Sequence, residues 1–455
     1  MTSDTKVTST IFALASGIGR AGVAIVRISG PLAMNSLIKL MANRDEPKKI
    51  IPRRAIYSSL QDPHTEETLD NGLIIWFPGP NSFTGEDVVE LHLHGGPIVI
   101  SGILDALIKF DGLRMAEPGE FTRRAFENGK MDLTAAEGLA DLIDAETIAQ
   151  RRQSLRQLEG KLGQIYESWR QRLLEALSNS EAAIDFSDED LPENIERVVF
   201  LDIASLEREI ADHLLDNHRG ERLREGALIT IIGPPNAGKS SLLNYLAKRD
   251  AAIVSETAGT TRDIIEVHIS LGDFPVTFAD TAGLHNSINP VEIEGIRRAH
   301  QKAEKSDFKL AIFDVKDWPR LDSETIELID ANTLIVINKC DQGTPEPPLI
   351  FRGHSIFLVS VLTGAGIDNL VDAIIKRVSG IMEVGSSPAL TRIRHRNALD
   401  DCLVALRRCL KAPGLSSELV AEDLRLAVRC LGRITGRVDV DDVLDFIFQN
   451  FCIGK

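Results

Sequence analysis

The chain has 455 residues, an apolar fraction of 43% and a formal net charge of −16. This length exceeds what one hydrophobic core supports, so two to four domains are expected. The negative charge argues against broad, non-specific nucleic-acid binding, because neutralising phosphates needs excess lysine and arginine. Five cysteines without a Cys-x-x-Cys pair, no leader pattern and no long apolar run predict a cytoplasmic protein with reduced thiols and no membrane contact.

The N-terminal part, residues 1–120, is predicted to be a mixed α/β domain. Short apolar runs at 22–30, 72–77 and 88–94 have the length and alternation of strands. Residues 97–110 carry apolar side chains at helical spacing instead.

Helical periodicity dominates residues 121–220 and returns over 381–455. Leu139 and Leu142 are examples of its apolar positions. We therefore expect a helical bundle made from both stretches, with a third domain, residues 221–380, inserted between them. Strand and helix patterns alternate in that insert, which predicts a doubly wound parallel sheet.

The insert contains the pattern of a phosphate-binding loop. Residues 233–240 fit G-x-x-x-x-G-K-[ST], between a strand-like apolar run and a helical pattern. Gly233 and Gly238 let the backbone N–H groups point at phosphate oxygens. Lys239 is predicted to reach the β- and γ-phosphates, and Ser240 to bind magnesium.

Further motifs predict a guanine-nucleotide site. Residues 280–283, Asp-Thr-Ala-Gly, follow a strand and suit a carboxylate that holds magnesium through water. In residues 338–341, Asn-Lys-Cys-Asp, Asp341 can accept two hydrogen bonds from the guanine edge, which adenine cannot supply. Thr261 supplies the switch threonine and a second magnesium ligand. The fifth motif is weak, because Val361 stands where GTPases usually have alanine.

The residue after the Asp-Thr-Ala-Gly motif is Leu284. Ras-type enzymes place a glutamine there to orient the attacking water. A leucine side chain cannot hydrogen-bond water, so either hydrolysis is very slow or another group positions the water.

Distinctive segments occur throughout the chain. They are the loop with Asn236 and residues 85–91, 118–122, 256–263, 280–284, 292–296 and 452–455. In these segments the chain resembles the MnmE (TrmE) family of tRNA modification GTPases. The resemblance spans essentially the whole chain, including ends far from the nucleotide motifs. It implies an N-terminal α/β folate-binding-like domain, a central helical bundle and an inserted Ras-like P-loop GTPase domain.

The resemblance also implies residues for nucleotide, cation and water. A potassium ion in place of an arginine finger would be held by Asn236, Ser255, Thr257 and Thr260, and Glu292 would position the water. Hydrolysis would be coupled to pairing of two GTPase domains. The whole predicted GTP site comprises Asn236, Ala237, Gly238, Lys239, Ser240, Ser241, Ser255, Glu256, Thr257, Ala258, Gly259, Thr260, Thr261, Asp280, Thr281, Ala282, Gly283, Asn338, Lys339 and Asp341.

For the N-terminal domain, the resemblance implies a constitutive homodimer and a site for 5-formyltetrahydrofolate or a related tetrahydrofolate. Its contacts carry over to Arg27, Glu90, Lys130 and Lys455. With the partner MnmG, which carries FAD, in a heterotetramer or larger complex, the protein would add an aminomethyl-type group to C5 of the wobble uridine of tRNA.

Two alternatives stay open. The nucleotide motifs alone also fit a ribosome-assembly or signalling GTPase that acts as a nucleotide-dependent binding switch. The basic cluster at residues 392–396 is either a solvated helix start or a surface that faces tRNA.

Overall fold

The computed structural model describes residues 9–42, 50–185, 195–216, 218–249, 266–280, 304–343, 347–383, 388–411, 417–438, 441–449, 451 and 453–454. The chain divides into two compact units. Unit 1 comprises Met1–Ala140, Leu158–Arg170 and Leu431–Lys455, and unit 2 comprises Asp141–Gln157 and Gln171–Cys430.

Unit 1 contains a six-stranded sheet. Its strands are β1 (Thr10–Leu14), β2 (Ala21–Ser29), β3 (Ile56–Gln61), β4 (Thr68–Phe77), β5 (Val88–Gly95) and β6 (Leu113–Met115). Their order is β3-β4-β5-β2-β1-β6, and all neighbours are antiparallel except β1 and β6. The three predicted strands of this region are confirmed as β2, β4 and β5.

Fourteen helices of at least five residues lie within the described ranges. They are α1 (Ala33–Leu40), α2 (Pro97–Ile108), α3 (Glu120–Glu127), α4 (Leu133–Ile143), α5 (Ile148–Leu158), α6 (Lys161–Asp185), α7 (Ile195–Leu214), α8 (Arg219–Glu225), α9 (Lys239–Arg249), α10 (Ser323–Glu327), α11 (Ile367–Met382), α12 (Ile393–Lys411), α13 (Ser417–Thr435) and α14 (Asp441–Gln449).

The core of unit 1 joins its sheet to α1 and α2. Phe12, Ile28 and Leu91 of the sheet are buried together with Leu37 of α1 and Leu107 of α2. Helix α2 begins with a proline, whose missing N–H costs nothing in the first turn. The predicted helix at 97–110 is therefore confirmed.

The helical stretches follow the predicted periodicity. Helix α5 starts with a reciprocal cap, in which Gln150 Oε1 accepts the backbone N–H of Thr147 and Thr147 Oγ1 accepts that of Gln150. Within unit 2, α7 packs on α12.

Unit 2 contains a seven-stranded sheet. Its strands are β7 (Ala227–Ile232), β8 (Glu266–Leu271), β9 (Phe274–Asp280), β10 (Phe308–Asp314), β11 (Thr333–Asn338), β12 (Ile350–Phe351) and β13 (His354–Leu358). Their order is β12-β13-β11-β10-β7-β9-β8, with five parallel central strands and an antiparallel strand at each edge.

Both faces of this sheet are covered. In β10, Leu310 and Ile312 belong to one apolar cluster, and Ala311 and Phe313 belong to another. Alternate residues of a strand point to opposite faces, so the two clusters are the two layers expected of a doubly wound fold. No helix in the described part of the chain is long and apolar enough to cross a membrane.

Candidate functional site

The predicted phosphate-binding loop connects β7 to α9, as the sequence pattern requires. Gly233 has φ +151° and Gly238 has φ +100°. A Cβ on Gly233 would lie 2.2 Å from the carbonyl oxygen of Ile312, and one on Gly238 would lie 2.2 Å from Nδ2 of Asn338. Only glycine fits at these positions, because both the dihedral angle and the close approach exclude a side chain.

Lys239 begins α9 and is only 7% exposed. Its Nζ donates to the carbonyl oxygens of Gly233 at 2.8 Å and Pro234 at 3.1 Å. These loop carbonyls offset the desolvation of the ammonium and hold it inside the loop. Ser240, the predicted magnesium ligand, is exposed on the next position of the helix.

Asn338 joins the guanine motif to the phosphate loop. The residue is buried at the end of β11, and its Nδ2 donates to the carbonyl oxygen of Ala237 at 2.9 Å. Its Oδ1 accepts the backbone N–H of Lys339 at 2.8 Å and that of Val361 at 3.2 Å. Asn338 of the guanine motif is thus bonded to the backbone of Val361 in the atypical fifth motif. Because the bond is to the backbone N–H, the valine side chain does not affect it.

Lys339 makes a second link to the loop. Its Nζ lies 2.7 Å from the carbonyl oxygen of Asn236 and 2.7 Å from Asp314 Oδ2. Asp341 is exposed, and its Oδ1 accepts a hydrogen bond from Ser360 Oγ at 2.5 Å. Asn338 and Lys339 of the guanine motif are therefore bonded to Ala237 and Asn236 of the phosphate loop.

Asp314 is a residue that the sequence analysis missed. It ends β10, and the next parallel strand in the sheet, β11, ends at Asn338, with which Asp314 is in register. The carboxyl ends of neighbouring parallel strands meet at one edge of the sheet, where ligands of α/β proteins bind. Applying this rule to the strand at residues 308–314 would have identified Asp314 from the sequence.

Several predicted residues lie outside the described part of the chain. They are Ser255, Glu256, Thr257, Ala258, Gly259, Thr260, Thr261, Thr281, Ala282, Gly283, Glu292 and Lys455. Asp280 is described only as the last backbone position of β9. Among the described residues, no group of three or more His, Cys, Asp or Glu side chains is placed to hold a metal ion.

In unit 1, two residues of the predicted folate site form an ion pair. Arg27 of β2 and Glu90 of β5 are cross-strand partners, with Arg27 Nη2 2.9 Å and Nε 3.1 Å from Glu90 Oε1. The Arg27 guanidinium lies 5.3 Å from the ring centroid of Phe83 and 5.7 Å from that of Phe121. The two rings and the carboxylate fix the direction of the guanidinium.

The loop that carries Phe83 also contacts Lys130, whose Nζ donates to the carbonyl oxygen of Pro80 at 2.8 Å. Near the chain end, Ile453 forms an antiparallel bridge with Pro118. A Cβ on Gly454 would lie 2.0 Å from the carbonyl oxygen of Leu14, at the end of β1. The last described residues are thus held against the sheet of unit 1.

A charge network is centred on Arg124, which is buried. Arg124 pairs with Glu86 at 3.0 Å and with Glu120 at 3.0 Å, and Glu120 also pairs with Arg114. Burial raises the pKa of Glu120, but hydrogen bonds from Arg114, the backbone N–H of Glu117 and Arg124 outweigh it and hold the pKa below its usual value. This carboxylate is therefore ionised at neutral pH.

The basic cluster at 392–396 is engaged inside unit 2. Arg392 pairs with Asp141 at 2.7 Å, and Arg396 pairs with Asp216 at 2.7 Å and Glu221 at 3.3 Å. Both guanidinium groups are mostly buried, so they tie helices together. Arg392 and Arg396 therefore fit neither alternative, because they are not solvated and their charges are already paired inside unit 2.

Comparison with known proteins places the chain in a family. A family model described as the MnmE helical domain matches residues 133–452, and one described as the GTP-binding protein TrmE N-terminus matches residues 10–130. The tRNA modification GTPase MnmE of Parvibaculum lavamentivorans is 54% identical, covering 98% of this chain and 100% of the relative. That of Paramagnetospirillum magneticum is 52% identical, covering 99% and 100%.

A eukaryotic relative is similar over the same span. The mitochondrial 5-taurinomethyluridine-[tRNA] synthase subunit of Homo sapiens is 46% identical, covering 98% of this chain and 93% of the relative. These matches run through both units and are not confined to the nucleotide motifs. The chain therefore belongs to the MnmE (TrmE) family of tRNA modification GTPases.

Proposed function

We propose that this protein hydrolyses GTP to GDP and phosphate and, with an FAD-carrying MnmG-type partner, adds a carboxymethylaminomethyl or aminomethyl group to C5 of the wobble uridine of tRNA. The observation that carries the proposal is the junction of the phosphate loop with the guanine motif. Asn338 bonds the carbonyl oxygen of Ala237, and Lys339 bonds that of Asn236. One ligand with phosphates at one end and guanine at the other would span this junction.

The nucleotide site would promote hydrolysis by electrostatic stabilisation. Lys239 and the loop N–H groups would hold the β- and γ-phosphates, and Asp341 would accept from the guanine N1–H and N2–H₂ groups. Ser240 and Thr261 would bind magnesium, whose charge supports the phosphates. Glu292 would orient the attacking water, a task that Leu284 cannot perform.

A potassium site is also part of the proposal. The oxygen-bearing side chains and carbonyls of Asn236, Ser255, Thr257 and Thr260 suit a monovalent cation, which supplies a fixed positive charge beside the β–γ bridge. The left-handed backbone of Asn236, φ +62°, and the bond from Lys339 to its carbonyl fix the backbone from which this side chain projects. Closing the loop would require a second GTPase domain.

For unit 1 we infer a site for 5-formyltetrahydrofolate or a related folate. Arg27 and Lys130 would bind the anionic and carbonyl groups, and Glu90 would accept from the pterin N–H edge. Contact of both cations with the loop at 79–86 supports this grouping. The bridge between Ile453 and Pro118 supports a part for the neighbouring Lys455.

The same unit would form the homodimer. Ile18, Tyr57 and Ile98 are large apolar side chains that are more than two-thirds exposed. Burying such side chains between two subunits would remove apolar area from water, which stabilises association. The dimer would in turn assemble with the MnmG-type partner, and the pair would act on tRNA.

For the domain organisation we propose the boundaries that the sequence suggests. An N-terminal domain would span 1–120, a helical domain 121–220 with 381–455, and a GTPase domain 221–380. The end of β6 at Met115 and the start of β7 at Ala227 support the boundaries at 120 and 220.

A potassium preference tests the proposal as a whole. GTP turnover is expected to be about tenfold or more faster in potassium than in sodium at equal ionic strength, because the cation stabilises charge in the transition state. The measurement is phosphate release by the purified protein. Asn236→Gly keeps the left-handed backbone and removes the side-chain ligand, so it is expected to lose the potassium preference.

Equal, slow turnover in both salts would contradict the potassium mechanism. This result would favour the second candidate function, that of a ribosome-assembly or signalling GTPase whose nucleotide state selects a partner. The arrangement around Arg27 favours the first candidate, since a binding switch needs no folate site.

Folate binding has its own test. Arg27→Met keeps the apolar stem between Phe83 and Phe121 but removes the charge, so affinity for 5-formyltetrahydrofolate is expected to fall about tenfold or more. Calorimetric titration measures it. The matched control is Arg54→Met, which removes an exposed arginine of the same unit. Equal affinity of the Arg27 variant and the wild type would remove Arg27 from the site.

A further inference from the structure

A carboxylate at the end of β10 lies beside the guanine motif. Asp314 Oδ2 is 2.7 Å from Lys339 Nζ, and Asp314 Oδ1 accepts the backbone N–H of Lys316 at 3.0 Å. Both oxygens are therefore engaged, and the carboxylate has one orientation. It lies in register with Asn338, the first residue of the guanine motif.

Lys339 links the fixed carboxylate of Asp314 to the phosphate loop. Its Nζ donates to Asp314 on one side and to the carbonyl oxygen of Asn236 on the other, each at 2.7 Å. The φ angles of Asn236 and Lys339 are +62° and +64°. This left-handed conformation costs free energy for a residue with a Cβ, although least for asparagine, so contacts with the surroundings stabilise it. The ammonium makes one such contact with Asn236.

The pair is partly buried. The side chains of Asp314 and Lys339 are 14% and 30% exposed. Solvent and salt screen such a pair less than a fully exposed one. Burial raises the pKa of Asp314, but the hydrogen bonds from Lys339 and from the backbone of Lys316 outweigh it and hold the pKa below its usual value. The carboxylate is therefore charged at neutral pH.

We propose that Asp314 is a positioning residue for guanine-nucleotide binding, because it holds the Lys339 ammonium against the Asn236 carbonyl and thereby fixes the phosphate loop. The inference rests on the proposed function, in which Lys339 and Asn236 contact GTP. Without the charge of Asp314, Lys339 keeps one fixed partner, and the loop is free to leave the conformation that receives the phosphates.

The decisive variant is Asp314→Asn, which preserves the shape and the bond to Lys316 but removes the charge. The dissociation constant for fluorescently labelled GDP is expected to rise about tenfold, mainly through faster dissociation. The preference for guanine over xanthine nucleotides and the unfolding midpoint of the nucleotide-free protein are expected to stay unchanged. The control Asp317→Asn, an exposed carboxylate of the same turn, is expected to bind GDP like the wild type.

A double-mutant cycle separates positioning from a general electrostatic effect. In a Lys339→Met background, Asp314→Asn is expected to add no further loss, because its effect passes through the lysine. Additive losses would overturn the inference, and so would wild-type affinity of Asp314→Asn. If the wild type itself fails to bind GDP, the proposed function fails instead.

The variant Asp314→Glu distinguishes a positioning role of Asp314 from a purely structural one. It keeps the charge but moves the carboxylate by one methylene group, so it is expected to recover part of the lost affinity. Loss of affinity together with a lowered unfolding midpoint in Asp314→Asn, without recovery in Asp314→Glu, would assign a structural role and overturn the inference.

Discussion

Replacing Lys239 with alanine is expected to lower GTP turnover by about 10²–10³-fold or more. The ammonium is held inside the phosphate loop by the carbonyl oxygens of Gly233 and Pro234, so its position is set before any phosphate arrives. Its removal takes away the fixed positive charge that the proposal places against the β- and γ-phosphates. Steady-state phosphate release, together with GTP affinity, measures the loss.

The control for Lys239 lies on the same helix. Lys248 of α9 is exposed, and Lys248→Ala is expected to turn over GTP at the wild-type rate. If Lys239→Ala retained wild-type turnover, residues 233–240 would not be the catalytic phosphate loop. A fall in turnover that disappeared at saturating GTP would place the lysine in binding alone.

Replacing Asp341 with asparagine is expected to weaken GTP binding by about 100-fold or more, because the amide N–H₂ faces the guanine N2–H₂ donor and leaves it unpaired. Xanthosine triphosphate presents a carbonyl oxygen at that position, so its affinity is expected to rise. Ser360 can still donate to the Oδ1 of the asparagine, which keeps the side chain in place. Competition against labelled GDP measures both affinities.

Hydrolysis of xanthosine triphosphate by this variant would show that the rest of the site is intact. Asp372→Asn, on the exposed face of α11, is the matched control and is expected to keep the wild-type preference. An Asp341→Asn protein that still preferred GTP would refute the assignment of residues 338–341 as the guanine motif.

Local patterns predicted much of the fold. Alternation and helical spacing gave β2, β5 and α2, because side-chain periodicity is fixed by backbone geometry alone. The phosphate loop was predicted for the same reason, because the local backbone conformation requires its glycines. Predicting these features does not require knowing which strands are neighbours in a sheet.

Features that depend on distant pairing were not predicted. Asp314 acquires its partner only because β10 and β11 are adjacent and parallel. Phe83 and Phe121 meet Arg27 only once the sheet and α3 are in place. The arginines at 392 and 396 illustrate the same limit, because their carboxylate partners are remote in sequence.

The division of the chain bears on the order in which the protein is completed during synthesis. Unit 1 takes its last segment from Leu431–Lys455, whereas unit 2 ends at Cys430. Every residue of unit 2 has therefore been translated before that segment leaves the ribosome, and domains generally fold as units as they emerge. The bridge between Pro118 and Ile453 closes only afterwards. Unit 1 therefore cannot be completed until all of unit 2 has been translated.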